Sequence, residues 1–411
     1  MAIPPGSALT SIDTALAQLL SRMAAVTDRE EVALPRALHR VLAETIHAAI
    51  DVPGHANSAM DGYAVNSQTL ACGQYRLRVT QRIPAGKVGQ ALAFGSAARI
   101  FTGAPIPPGA DAVVMQENCS VEGDEIVVMQ AVEAGENVRR AGSDVERGTL
   151  LFEAGHRLRA PDIGVLAGVG RETVVVCRPL RVAVLTTGDE LVRPGEPLQT
   201  GQIYNSNFYM LSTLVQGLGH DVVDCGIVAD SLDSTVQALL AAAANADCII
   251  SSGGVSAGEE DHVRTALARI GELSLWKLAI KPGKPFAFGQ LEGKPFFGLP
   301  GNPVSAFVTF ALLVRPCLQR LGGARDQAPL QLQLTADFDL PVSGIRQEYL
   351  RVCCATDAQG ETVLRLAGSQ SSGVLSSVSH ADGLAIVPPL SAVQRGDKLR
   401  FMPLSEIVGQ V

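Results

Sequence analysis

The chain has 411 residues, too many for one ordinary core, and its 33 Lys and Arg against 41 Asp and Glu give a formal net charge of −8. That balance excludes a general nucleic-acid binder, because neutralising a phosphate backbone needs surplus cations. Hydrophobic residues make up 47 % and aromatics only 4 %, so several cores are feasible, built chiefly from Ala, Val, Leu and Ile.

The chain opens on a helix. Thr10-Ser11-Ile12-Asp13 forms a loose capping box, and Ile12, Leu16, Leu19, Leu20 and Met23 then share one face at helical spacing. A second short helix is expected over 35–43, with Pro35 in its first turn. From Asp51 to Gly142 short alternating runs such as 75–79 and 125–129 are separated by Gly and Pro turns, which reads as a small β-rich domain. From 178 to 323 apolar strands alternate with helices. Strands are expected over 181–185, 221–228, 247–251, 275–280 and 295–299. Helices are expected over 207–217 with Asn205, Ser206 and Asn207 as cap candidates, from Ser231 or Asp233 to about Ala244, over 260–270 and over 303–321. Continuous apolar strands between helices indicate a parallel sheet covered on both faces, an α/β architecture whose ligands bind at the carboxyl ends of the strands. From Ala328 the pattern is all β, at 330–334, 348–353, 362–366, 384–387 and 398–402, which fits a small barrel or sandwich.

No charged and apolar leader precedes Arg22, and no stretch approaches the ~20 apolar residues that span a bilayer. The eight cysteines contain no C-x-x-C pair, which suits reduced thiols in a cytoplasmic protein better than disulfides or zinc.

Four stretches between 186 and 306 carry the chemistry. Residues 252–261, SGGVSAGEED, follow an apolar strand and open a helix. Gly253, Gly254 and Gly258 let the backbone approach an anion, free N–H groups and the helix dipole favour negative charge, and Ser252 and Ser256 add hydroxyls. The same residues also make an ordinary capped turn. No GK[ST] follows, so this is not a Walker loop. Residues 277–285, KLAIKPGKP, crowd Lys277, Lys281 and Lys284 onto a turn stiffened by two prolines, suited to a polyanion or to solvent. In 299–306, LPGNPVSA, Asn302 serves as a helix cap or a ligand contact. In 186–191, TTGDEL, Asp189 and Glu190 follow the first strand; with Asp230 after the second and Asp261 after the third, carboxylates stand at three strand ends. Such convergence beside a phosphate site points to Mg²⁺. The seven histidines are scattered, and no hydrolytic triad is visible.

These strings, together with SAMDGYAV (58–65), RIFTGAPIPPGADAVVMQE (99–117) and GQIYNSN (201–207), occur in the order found in the MoeA family of molybdopterin molybdenumtransferases, which includes the gephyrin E domain, and the chain resembles that family over nearly its whole length. One departure is Ala257, where the family usually carries Val. The resemblance implies four domains: a discontinuous one of 1–50 and 143–177, a β-rich one of 51–142, an α/β molybdopterin-binding one of 178–327 and a C-terminal β domain of 328–411. It implies a homodimer whose site lies between the α/β domain and loops of the other subunit's β-rich domain. The implied substrates are adenylylated molybdopterin and molybdate; molybdenum is inserted, the pyrophosphate link is cleaved and AMP leaves, with Mg²⁺ at Glu190, Asp230 and Asp261. Family positions add Asp61 to these acids, and Thr102, Asp144, Arg351 and Ser371 to the substrate-binding residues. Contacts with the adenylyltransferase that supplies the substrate and with molybdenum apoenzymes follow from the same resemblance. The other readings are an adenylyltransferase acting on molybdopterin and a gephyrin-like scaffold.

Overall fold

The apolar strands between 181 and 299 assemble into one six-stranded sheet, around which the rest of the chain is organised. The structure is a computed structural model and describes residues 9–26, 28–254, 262–325 and 328–408. The strands are β1 (Arg181–Thr187), β2 (Asp221–Val228), β3 (Cys248–Ser252), β4 (Glu272–Lys277), β5 (Pro285–Leu291) and β6 (Lys294–Leu299), in the order β2-β1-β3-β6-β5-β4. Strand β1 runs parallel to β2 and β3, and β3 parallel to β6. The remaining two strands are antiparallel, β5 to β6 and β4 to β5.

The sequence pattern did not reveal β5. It is joined to β6 by the two-residue turn Glu292-Gly293, where φ is 49° and 75°. Positive φ at both positions is what a type I′ hairpin requires, but Glu-Gly is a weaker signal for it than Asn-Gly or Asp-Gly. The strand expected over 275–280 also divides: β4 ends at Lys277, and Ile280–Lys281 pairs instead with Gln347 and Glu348 of the C-terminal domain.

Side chains alternate across the sheet as the pleat demands. Val182, Val184 and Ile250 face a core shared with helices α1 (Ser206–Gly217) and α2 (Pro303–Leu321), where Phe310–Val314 forms a π-helical turn. Ala183, Leu185 and Ile249 face the other core, against the helices Leu232–Asn245 and His262–Ile270. The helix Pro303–Leu321 has the length and composition of a membrane span, yet 83 % of its most apolar window is buried inside the protein, the environment of a core helix. The N-terminal helix Ile12–Leu20, capped by Ser11, packs Ala15 and Leu19 into this same core.

Residues on both sides of the β-rich segment pair with each other: Arg29–Ala33 with Thr173–Cys177, and Ile46–His47 with Leu150–Phe152. The helix expected over 35–43 does not form. Only one 3-10 turn, Leu34–Arg36, is present; His39 has φ 64°, and the amides of Leu42 and Ala43 donate to His156 O and Val175 O. Cross-chain pairing satisfies those amides, so no helical ladder is left to make. The β-rich segment is a six-stranded sheet that includes Gly62–Val65 and Ser96–Ile100. At the C-terminus five strands close a ring: Gln347–Thr356, Thr362–Leu366, Leu332–Ala336, Lys398–Pro403 and Gly383–Val387, which pairs back to the first. That is a barrel, with no sandwich of two sheets.

Candidate active site

The carboxyl ends of β1, β2, β3 and β6 surround a cavity of about 700 Å³. Three of its walls are glycine-containing turns. After β3, Gly253 and Gly254 have φ 94° and 66°, and a Cβ at these positions would lie 2.9 Å from Thr187 O and 2.5 Å from Val263 Cγ2. Only glycine fits, and the backbone itself becomes the surface presented to a ligand. After β6, Gly301, Asn302 and Pro303 line the cavity at the start of α2. Asn302 holds the N-cap backbone position without making a side-chain cap bond, so its amide group is available to the cavity. The positive end of that helix's dipole faces the same way, although Pro303 has no N–H and Val304 N is spent on Ser372 O at 3.1 Å. After β1, Gly188 has φ 142°, and a Cβ there would meet Glu190 Oε2 at 2.5 Å; the absent side chain makes room for the Glu190 carboxylate.

Glu190 and Asp230 both line the cavity. Asp189 does not: its Oδ1 accepts from Asp230 N at 3.2 Å, which shapes the turn that carries Asp230. Among the described residues no group of three His, Cys, Asp or Glu is arranged to hold a metal. Asp261, Ser256 and Gly258 lie outside the described residues. Two asparagines of the 201–207 string organise the floor. Asn205 caps α1 by accepting from Phe208 N at 3.2 Å, and donates to Thr186 Oγ1 at 2.7 Å. Asn207 donates to Ser252 Oγ at 2.8 Å and to Gly301 O at 2.7 Å. Sequence reading took Asn207 only as a possible cap; its role emerges from tertiary contacts with two distant turns.

The cationic candidates are placed elsewhere. Lys277, Lys281 and Lys284 are exposed, and none of them lines the cavity. Lys281 pairs with Glu348 at 3.0 Å. Arg351 is 1 % exposed and donates to Tyr349 O, Ser369 O, Ser371 O and Ser377 Oγ at 3.1–3.3 Å. It therefore tethers the 369–371 loop, whose continuation brings Gly373 to the cavity. Ser371 itself is exposed and serves Arg351 through its carbonyl. Burial without a carboxylate lowers the Arg351 pKa from its ordinary value.

Asp61, Thr102 and Asp144 do not line the cavity of their own chain. Asp61 Oδ1 accepts from both the amide and the hydroxyl of Thr102, each at 2.8 Å. These bonds, aided by the charge of Arg99, hold its carboxyl below the usual range. Arg99 stacks over Tyr63 and Phe101 and donates to Gly62 O, so the 58–65 and 99–117 strings form one loop cluster. Asp144 is exposed, with its amide on Val52 O.

Residues 10–170 match the MoeA N-terminal region (domain I and II), 183–320 a probable molybdopterin binding domain, and 333–404 the MoeA C-terminal region (domain IV). A molybdopterin molybdenumtransferase of Haemophilus influenzae is 37 % identical over 405 residues, covering 98 % of this chain and 100 % of that protein. The chain belongs to the MoeA family. A molybdopterin molybdenumtransferase of Nostoc sp. is 37 % identical over 380 residues, covering 90 % of the chain and 87 % of its own length. Two structures of the MoeA protein of Pyrococcus horikoshii superpose with TM-scores of 0.82 and 0.76, at 29 % and 32 % identity, each over 96 % of this chain and 100 % and 99 % of theirs. In this MoeA chain, the molybdopterin-binding match over 183–320 contains every strand end that frames the cavity.

Proposed function

We propose that this MoeA-family enzyme takes adenylylated molybdopterin and molybdate, cleaves the pyrophosphate link, places molybdenum on the dithiolene sulfurs and releases AMP. The observation that carries the reading is the cavity itself: glycine-backed amides and a helix N-terminus on one side, Glu190 and Asp230 on the other, at the strand ends where α/β sheets bind ligands. Amides of the two turns other than Gly253 N, which is spent on Leu299 O at 3.1 Å, bind the pyrophosphate oxygens and Asn302 orients them, while Ser252 Oγ holds the turn by donating to Pro300 O at 3.3 Å. Charge developing on the leaving AMP phosphate is stabilised by fixed N–H dipoles, the electrostatic mode of phosphoryl-type catalysis.

Glu190 and Asp230 form an all-oxygen donor set that fits Mg²⁺, which commonly uses one or two carboxylates together with substrate phosphates. Glu190 and Asp230 would hold the cation, which would supply positive charge to the pyrophosphate, and Gly188 leaves the space for the Glu190 carboxylate.

The reading includes a cytoplasmic homodimer. Asp61 and Thr102 are ordered by each other yet do not line the cavity of their own chain, which suits a part in the site of a second copy. An adenylyltransferase or scaffold role is not favoured, because full-length relatives carry the molybdenumtransferase name. The test combines the protein with adenylylated molybdopterin, molybdate and Mg²⁺, then measures AMP and the activation of a molybdenum apoenzyme. AMP without a cofactor that activates the apoenzyme, or no AMP at all, would overturn the assignment.

A further inference from the structure

We infer that Asn207 is a positioning residue, fixing the spacing between the Gly253-Gly254 turn and the Gly301-Asn302 turn so that amides of both bind one phosphate group. This deepens the function proposed above and rests on it. Three observations converge. The Asn207 Nδ2 donates to one residue of each turn, Ser252 Oγ at 2.8 Å and Gly301 O at 2.7 Å. The two turns lie side by side: a Cβ added to Gly301 would lie 4.0 Å from Gly253 Cα. Finally, among the described residues Asn207 Oδ1 is buried and has no hydrogen-bond partner.

The last point separates positioning from simple stabilisation. Gly301 O accepts only, so the amide cannot be turned over to relieve Oδ1 without losing the bond to the second turn. A buried unpartnered carbonyl opposes folding. A residue that served stability alone would be poorly chosen here. The amide holds two loops in register while its own oxygen goes unsatisfied. Asn205 already provides the helix cap two residues earlier, so Asn207 is free of that duty.

Replacing Asn207 by alanine removes the strained oxygen and the tie together. Gly301 is exposed, so water takes over its carbonyl, and Ser252 Oγ keeps Pro300 O at 3.3 Å. Asn207→Ala is therefore expected to melt at or above the wild-type temperature while the KM for adenylylated molybdopterin rises about tenfold, the scale of one misplaced hydrogen-bonding group. Asn207→Asp keeps the shape, places an oxygen against Gly301 O and adds charge beside the anion; its loss should exceed that of alanine and shrink at high salt.

Calorimetric titration with AMP and with inorganic pyrophosphate reads the same wall without turnover. Wild-type affinity in Asn207→Ala, or a loss matched by a fall in melting temperature, overturns the inference. If wild type binds these anions but releases no AMP from the full substrate, the proposed reaction fails while the titrations still decide the role of Asn207. If neither anion binds wild type, there is no wall to position and the inference falls.

Discussion

Arg351→Met separates two ways in which that arginine can serve the site, as a ligand contact or as the tether of a cavity wall. The guanidinium is 1 % exposed and donates to three backbone carbonyls and the Ser377 hydroxyl. Ser371 O keeps Val374 N and the Ser377 hydroxyl keeps Val374 O, so removal falls chiefly on Tyr349 O and Ser369 O, where each group left without this donor costs about 1–3 kcal/mol. The exposed side of the 369–371 loop relaxes toward water and recovers part of this, so the expected loss is about 3–5 kcal/mol, the range for dismantling a buried polar cluster. Methionine fills much of the volume, which keeps cavity formation out of the comparison. The assay is denaturant unfolding of the full chain, read as a shift in midpoint at constant slope, beside AMP release. Arg351→Lys retains charge but not the planar fork of donors and should recover only part of the loss. Unfolding free energies within about 1 kcal/mol of wild type, with a raised KM for molybdate, would refute the tether and make Arg351 a ligand contact.

Burial and the nearby Arg157 push the His220 imidazole down to about 4. The unfolded chain binds a proton that the folded one refuses, so stability falls as pH drops from 6.5 toward 4, by about 3 kcal/mol in total; His220→Gln should flatten unfolding free energy against pH over that window, and an unchanged slope would contradict the assignment. Gly188→Ala is expected to displace the Glu190 carboxylate, whose Oε2 lies 2.5 Å from the new Cβ, lowering AMP release at least about tenfold with a weakened Mg²⁺ response; an unaltered Mg²⁺ titration would remove Glu190 as a ligand. Among the described residues Arg315 is buried with Nε and Nη1 unpartnered; its burial outweighs the favourable charge of Glu406, and the charge of Arg157 adds to the cost. Arg315→Met should therefore stabilise the fold by about 1–3 kcal/mol, and thermal melting showing a clear loss would mean that the guanidinium is satisfied after all.

The parts of the fold legible in the sequence are those set by local chemistry. Ser11, Asn205 and Ser231 announced their helices because an N-cap side chain needs only its own first turn. Gly253 and Gly254 were legible as a close-approach turn because positive φ is a property of the residue itself. What stayed hidden depends on partners far along the chain. The segment after Leu34 looked helical until its amides found residues 156 and 175. Strand β5 was invisible because its register comes from β4 and β6, and Asn207 looked like a second cap because its partners lie 45 and 94 residues away.

The same distinction bears on where positive charge comes from. Among the described residues, the cavity wall carries amides, hydroxyls and two carboxylates, but no Lys or Arg side chain. On the proposed reading, dipoles alone beside two anions would hold a pyrophosphate weakly, so Mg²⁺ on Glu190 and Asp230 would supply the balancing charge. Two of the cationic residues singled out by sequence are instead committed to the C-terminal barrel: Ile280–Lys281 pairs with Gln347 and Glu348, Lys281 is bonded to Glu348, and Arg351 lies on that same barrel strand, holding the loop that carries Gly373. The amide turns are therefore fixed by the sheet and the Gly373 wall by the barrel, and the two walls face one ligand only to the extent that the barrel holds its place against the first turn of α2, where Ser372 O meets Val304 N. Affinity for the polyanion is on this argument a property of the contact between the two domains, and substitutions that loosen the barrel's seat should weaken binding even where they touch no ligand.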